Sequence, residues 1–275
     1  MMVEKYDPLL FIEHYKKTNE TLLWKKYYRS LEEFLGREPN DELTIWVQQF
    51  GLLTNLVDDL MDKDKKGYYY LVNNTKELSI CLWSVLEKIK ICVSQSNFRK
   101  FTDCIALSLL AQSDEDNYKL TPSSSENDYC YLVQRSVKLM QSFIYILDAE
   151  PSRILLQGIE YLAINFQIMN DLDNFKLTVP SDVLNKKGTL PLLRLATYAK
   201  EQKNNELMYL LTDSSYEERR ESIVIIKKAL NESGVLMYCR LLALSYSNRA
   251  EQLLLSISSD KKKIETLLMR NEMRD

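Results

Sequence analysis

Residues 56–64 read LVDDLMDKD, which places Asp58, Asp59, Asp62 and Asp64 within seven positions. On a helix Asp58 and Asp62 stand at i and i+4 and project from one face a turn apart, with Asp59 about 100° away. Like charges at this spacing repel, so a cation should compensate them. A stacked carboxylate pair suits a hard divalent ion such as Mg²⁺, which keeps several waters and bridges to phosphate oxygens. Taken alone, an acidic helix end is more often simply solvated.

Two further segments change that balance. In NFQIMNDLDNFK, Gln167 and Asp171 share one helix face, with Asn170 and Asn174 stacked beside them on an otherwise apolar helix. Such a quartet must find partners or line a wet cavity, the bland version being an inter-helix hydrogen-bond cluster. In SDVLNKKGTLPLL, Lys186 and Lys187 precede a helix opening at Thr189 to Pro191. A helix N-terminus with cations beside it is an anion site, and a solvated loop with an N-terminal proline is the ordinary alternative.

The elements that must carry these residues are helices. Six Gly and six Pro in 275 residues are few, and apolar positions recur at three- and four-residue spacing almost throughout. The first helix is expected over Asn19 to Leu35, stopping at Gly36. Asp41 should then cap a long helix whose apolar stripe leads down to the acidic cluster. That cluster falls at the C-terminal end, where the helix dipole adds negative charge and strengthens the case for a cation. Helices follow over Thr75 to Ser94, Asn97 to Gln112, Tyr129 to Ala149 and Arg153 to Phe175, then a short one at Pro191 and three more. The polar stretch Ser113 to Asp128 is of loop length, so residues 1–275 are expected as one all-α domain.

Composition bounds the function classes. With 45% apolar residues, 27% charged residues and a net charge of −3, the chain reads as soluble and globular and gives no general case for nucleic-acid binding. Cys81, Cys92, Cys104, Cys130 and Cys239 form no C-x-x-C pair and read as buried free thiols of a reducing compartment. No stretch approaches the roughly 20 apolar residues that span a bilayer, and a cytoplasmic location is expected.

Together the three segments resemble, in order and content, the class I isoprenyl diphosphate synthases. LVDDLMDKD is similar to the first Asp-rich motif and FQIMNDLDN to the second. SDVLNKKGTLPLLRLA resembles the Lys-Thr-Leu-Pro loop, and YLVQRSVKLM the Lys-Thr segment, with Arg135 and Ser136 in place of Lys and Thr. The resemblance covers about Leu43 to Ile257 and implies a bundle of long helices around a deep cavity. It implies three Mg²⁺ ions on Asp58, Asp59, Asp62, Asn170, Asp171 and Asn174, with Asp58, Asp59, Asp62 and Asp171 catalytic. Diphosphate contacts fall to Arg135, Gln167, Lys187, Lys65 and Lys66, and Phe50, Leu53 and Thr54 line the prenyl pocket. The physics agrees: ionising a carbon–oxygen bond needs Lewis-acid help for a leaving diphosphate, and apolar walls shelter the allylic cation.

The departures narrow the reading. Nothing in residues 1–42 matches the family's isopentenyl-binding segment near the N terminus, and its Arg-Arg-Gly survives only as Lys65, Lys66 and Gly67, without the guanidinium fork. Asn170 and Asn174 replace Asp, with Asp173 a substitute after a local helix adjustment. This pattern resembles the ComQ subfamily, whose enzymes isoprenylate a tryptophan of a quorum-sensing pheromone precursor peptide. It implies an allylic diphosphate donor, geranyl or farnesyl, and a small peptide acceptor. It leaves room for peripheral membrane contact and for a homodimer. The rivals are a short-chain isoprenyl diphosphate synthase and a non-catalytic helical protein with a decayed metal site. His14, the single histidine, reads as a bystander on an N-terminal helix.

Overall fold

The computed structural model describes residues 20–61 and 75–269, and among them every regular element is a helix. In chain order these are α1 Glu20–Phe34, α2 Asp41–Met61, α3 Thr75–Cys92, α4 Gln95–Asn117, α5 Asn127–Leu132, α6 Gln134–Leu147 and α7 Arg153–Asn174. There follow α8 Ser181–Asn185, α9 Leu190–Glu201, α10 Asn205–Thr212, α11 Tyr216–Glu221, α12 Ile223–Glu232, α13 Val235–Ile257 and α14 Lys261–Leu268. The described residues fall into two compact units, one drawn from residues 20–61, 75–103, 142–151 and 260–269, the other from Cys104–Gln141 and Ser152–Ser259.

The first unit is built on the α1–α2 hairpin. Gly36 ends α1 as expected: it takes φ +63°, a region costly for residues with a side chain, while Arg37 N–H closes the turn on Glu32 O at 2.8 Å. The cap of α2 differs from the expectation. Asn40 Oδ1 accepts from Leu43 N–H at 3.0 Å, whereas Asp41 is the first helical residue and pairs with Arg29. Along α2, Leu43, Val47, Phe50, Leu53 and Leu56 are buried. Trp24 of α1 lies over Gly51 so closely that an added Cβ would sit 2.4 Å from the indole Cγ. The indole stacks on Phe143 at 5.0 Å, and Tyr27, Phe50 and Phe101 pack edge-on around the same group.

In the second unit α7 and α13 pack along their length. Ser152 caps α7 by accepting from Leu155 N–H at 3.1 Å. Its buried Ile159, Leu162 and Ala163 share the core with Cys239, Ala243, Ala250 and Leu254 of α13. Gly158 lets Leu254 approach to 3.3 Å of where a Cβ would stand, and Asn165 Nδ2 donates to Ala243 O at 2.8 Å. This polar tie in an apolar seam fixes the register of α7, the helix that carries the second polar segment.

Several expectations are corrected. Helix α4 runs on through Asn117, because the acidic residues read as loop have side-chain partners: Asp114 accepts from Tyr131 Oη at 2.5 Å and Glu115 pairs with Arg135. The helix expected over 129–149 starts at Asn127 and breaks at Val133, where ψ is 0°. An unexpected helix, α8, precedes α9, and the described C-terminal part holds five helices after α9 rather than three. Cys130 is exposed and Cys92 half-exposed, so only Cys81, Cys104 and Cys239 are buried thiols. No described helix is long and apolar enough to cross a membrane.

Candidate active site

The polar face of α7 divides into an inner and an outer part. Asp171 is 3% exposed and takes three hydrogen bonds: from Tyr129 Oη (2.9 Å) and Leu190 N–H (3.2 Å) to Oδ2, and from Gln167 Nε2 (2.9 Å) to Oδ1. A carboxylate has about four acceptor positions, so little of this one remains for a metal. Burial pushes its pKa up to about 7, and Asp182 pushes the same way, while the donors from Gln167, Tyr129 and Leu190 pull it back. Gln167 is itself held by Ser136 Oγ, which donates to Oε1 at 2.7 Å.

The two asparagines differ in kind. Asn170 is exposed, whereas Asn174 is half-buried and engaged with α8: its Nδ2 donates to Ser181 Oγ at 3.1 Å and its Oδ1 accepts from Asp182 N–H at 3.4 Å. One amide thus donates and accepts at the start of α8, which a carboxylate cannot do. Asp173 points to solvent, 2.7 Å from Lys176 Nζ.

The following loop differs from the helix-terminus anion cradle expected. The first donors of α9 are already used: Leu190 N–H goes to Asp171, Pro191 has none, and Leu192 N–H turns back on Thr189 O at 3.1 Å. What remains is side chain. Thr189, at the N-cap position, makes no cap bond, is 9% exposed, and its hydroxyl has no hydrogen-bond partner. A buried hydroxyl without a partner costs about 1–3 kcal/mol, and a ligand oxygen would recover it. Lys187 stands two residues earlier, half-buried, and Gly188 between them lies where a Cβ would meet Leu132 Cδ1 at 2.3 Å and Tyr118 Cδ1 at 2.7 Å.

Arg135 is less available than its motif position implies, because its Nε lies 3.0 Å from Glu115 Oε2. In the first unit Asp58 is half-buried near the end of α2. Phe50 and Leu53 are buried, and Thr54 donates its hydroxyl to Gly51 O at 2.7 Å, so its polar end is engaged within the helix. The side chain of Asp59, and all of Asp62, Asp64, Lys65, Lys66 and His14, lie outside the described residues. Among the described residues no three His, Cys, Asp or Glu side chains form a metal-holding group. Sequence reasoning missed Tyr129 and Asp182. Tyr129 lies 42 positions from its partner, and no local pattern marks such a pair.

No protein-family model matches the chain, and no curated protein matches it. Solved structures do. Octaprenyl pyrophosphate synthase from Helicobacter pylori superposes with a TM-score of 0.70 at 15% identity, over 98% of this chain and 97% of that one. Heptaprenyl diphosphate synthase from Staphylococcus aureus gives 0.73 at 17% identity, over 90% and 84%. A polyprenyl synthase from Caulobacter crescentus, complexed with calcium and isoprenyl diphosphate, gives 0.71 at 14% identity, over 91% and 83%. The chain therefore has the all-α isoprenoid synthase fold. At such identities the likeness defines the fold and leaves activity to the site.

Proposed function

We propose that the protein is a Mg²⁺-dependent prenyltransferase that ionises a geranyl or farnesyl diphosphate and passes the prenyl group to a tryptophan of a pheromone precursor peptide. The observation that carries the diphosphate part is the buried, unpartnered hydroxyl of Thr189 beside Lys187. A hydroxyl donor and an ammonium suit a diphosphate oxygen, and charge-assisted bonds of this kind are about twice as strong as neutral ones. Gln167, oriented by Ser136, offers a further polar contact.

The residues assigned to Mg²⁺ as oxygen donors are Asp58, Asp59, Asp62 and Asn170; Asp171 and Asn174 are assigned instead to orienting α7, α8 and α9 through their hydrogen bonds. Bound Mg²⁺ supplies Lewis-acid assistance to the departing diphosphate. Lys187 neutralises part of its charge, and Thr189 donates to one of its oxygens. Phe50, Leu53 and Thr54 are assigned to the prenyl tail, whose apolar surroundings keep water from the allylic cation. The carbon–oxygen bond breaks, a carbon–carbon bond forms to the indole, and the indole proton passes to the released diphosphate.

The second reading, a short-chain isoprenyl diphosphate synthase, is favoured by the solved neighbours, several of which are prenyl diphosphate synthases by name. One experiment separates the two. Pure protein, allylic diphosphate and Mg²⁺ are incubated with either isopentenyl diphosphate or a tryptophan-containing precursor peptide, and products are read by mass spectrometry. Peptide prenylation supports the proposal; elongation without peptide modification sinks it. Asp58→Ala should abolish turnover while circular dichroism stays unchanged, because removing one of several crowded charges relieves repulsion.

A further inference from the structure

The loop carrying Lys187 and Thr189 is held by two neighbouring cations. Helix α8 ends at Asn185, and Lys186 leaves it at φ +53°, a left-handed conformation that is unfavourable for a residue with a side chain. Its ammonium donates to Thr212 O at the end of α10, 2.5 Å away. Arg219 of α11 is 5% exposed, and its guanidinium closes on backbone. Nε and Nη2 both donate to Leu184 O, at 3.1 and 2.6 Å, while Nη1 donates to Ser214 O and, at 3.3 Å, to Ser214 Oγ. Burying a guanidinium is costly, and here it fastens the last turn of a five-residue helix to the α10–α11 turn. On the other flank Leu120 N–H donates to Lys186 O at 3.4 Å, and Lys187 N–H to Asp182 O at 3.0 Å.

We propose that Arg219 is a positioning residue for the Lys187–Gly188–Thr189 anion site. By gripping Leu184 O it holds the left-handed turn at Lys186, and that turn sets where residues 187–189 run. This rests on the reading of the loop as the diphosphate site. Arg219 touches no substrate, so its loss should act on binding more than on chemistry.

The test uses the full chain and the variants Arg219→Lys, which keeps the charge without the fork, and Arg219→Met. The ligand-free readout is trypsin cleavage after Lys186 and Lys187, with melting followed in parallel. In a variant that still melts cooperatively, cleavage should quicken about tenfold and KM for geranyl diphosphate should rise about tenfold with kcat within about twofold, the usual scale for a supporting residue. Arg219→Lys should fall between wild type and Arg219→Met. Cleavage and KM at wild-type values in a folded variant would overturn the proposal, as would a mobile loop with unchanged KM or a fall in kcat alone. Should neither variant fold, amide exchange of the wild type decides: residues 186–190 should exchange as slowly as the core of α7, and loop-like exchange overturns the clamp. A wild type that binds no allylic diphosphate refutes the functional reading instead, and the cleavage and exchange readouts still judge the clamp.

Discussion

Leu190 donates its backbone N–H to the buried carboxylate of Asp171, so the first turn of α9 is fastened to the polar face of α7 at 3.2 Å. The acid that the sequence offered as a metal ligand thereby acts as a hub for Tyr129, Gln167 and Leu190.

This role predicts a pH dependence of the metal-free protein. The pKa of Asp171 is raised to about 7, mainly by burial, whereas the unfolded carboxyl titrates near 3.8. Between these values the folded state binds more protons, so the contribution to stability is complete below about pH 4 and is lost as pH rises through 7. From pH 6 to pH 8 the loss should be about 1.4 kcal/mol. Urea titrations across that range should show it in the wild type and not in Asp171→Asn. Equal slopes in both proteins would mean that Asp171 titrates normally.

Thr189→Val separates stability from binding. The hydroxyl has no partner in the ligand-free chain, so its removal should leave melting unchanged or raise stability by about 1 kcal/mol. Binding of inorganic pyrophosphate with Mg²⁺, measured by calorimetry, should weaken about tenfold or more, the worth of a hydrogen bond to a charged group. Thr189→Ser should keep most of the affinity. A destabilised Thr189→Val with normal binding would assign the hydroxyl a structural role.

The Trp24–Gly51 contact can be examined by a double-mutant cycle. A methyl at residue 51 would collide with the indole at 2.4 Å, and overpacking of this kind costs about 1–3 kcal/mol. Trp24→Ala alone opens a cavity and should cost about 3–5 kcal/mol. In the double variant the methyl enters vacated space, so chemical denaturation should show less than the sum of the two losses. Additive losses would mean that the ring moves aside freely.

Legibility in the sequence followed the range of the interaction. Gly36, the long α2 and the bounds of α7 depend on periodicity and neighbouring residues, and they were readable. So was the polar content of 167–174. What escaped depends on contacts between distant segments. Nothing near Asp171 announces that Tyr129 and Leu190 will enclose it, and the distinct duties of Asn170 and Asn174 emerge only when α8 docks its first turn on one of them. Helices of six to ten residues, such as α10 to α12, are too short for periodicity to separate them. The acidic run through Asn117 read as loop because the cation that settles Glu115, Arg135, lies twenty positions away.

The two asparagines of α7 give the sharpest test of the metal assignment. Asn170 is exposed and supplies a neutral oxygen, so Asn170→Asp adds charge at little cost to the fold and should move half-saturation of kcat to lower Mg²⁺. Product release should then slow, since the diphosphate is held more firmly. Asn174→Asp should behave differently: its amide bridges Ser181 and Asp182 N–H, and losing the donor disturbs α8 without improving Mg²⁺ binding. The measurement is kcat against Mg²⁺ concentration for wild type and both variants, with melting temperatures taken alongside. A leftward shift for Asn170→Asp alone supports the assignment. Superimposable curves for Asn170→Asp and wild type would remove residue 170 from the metal site.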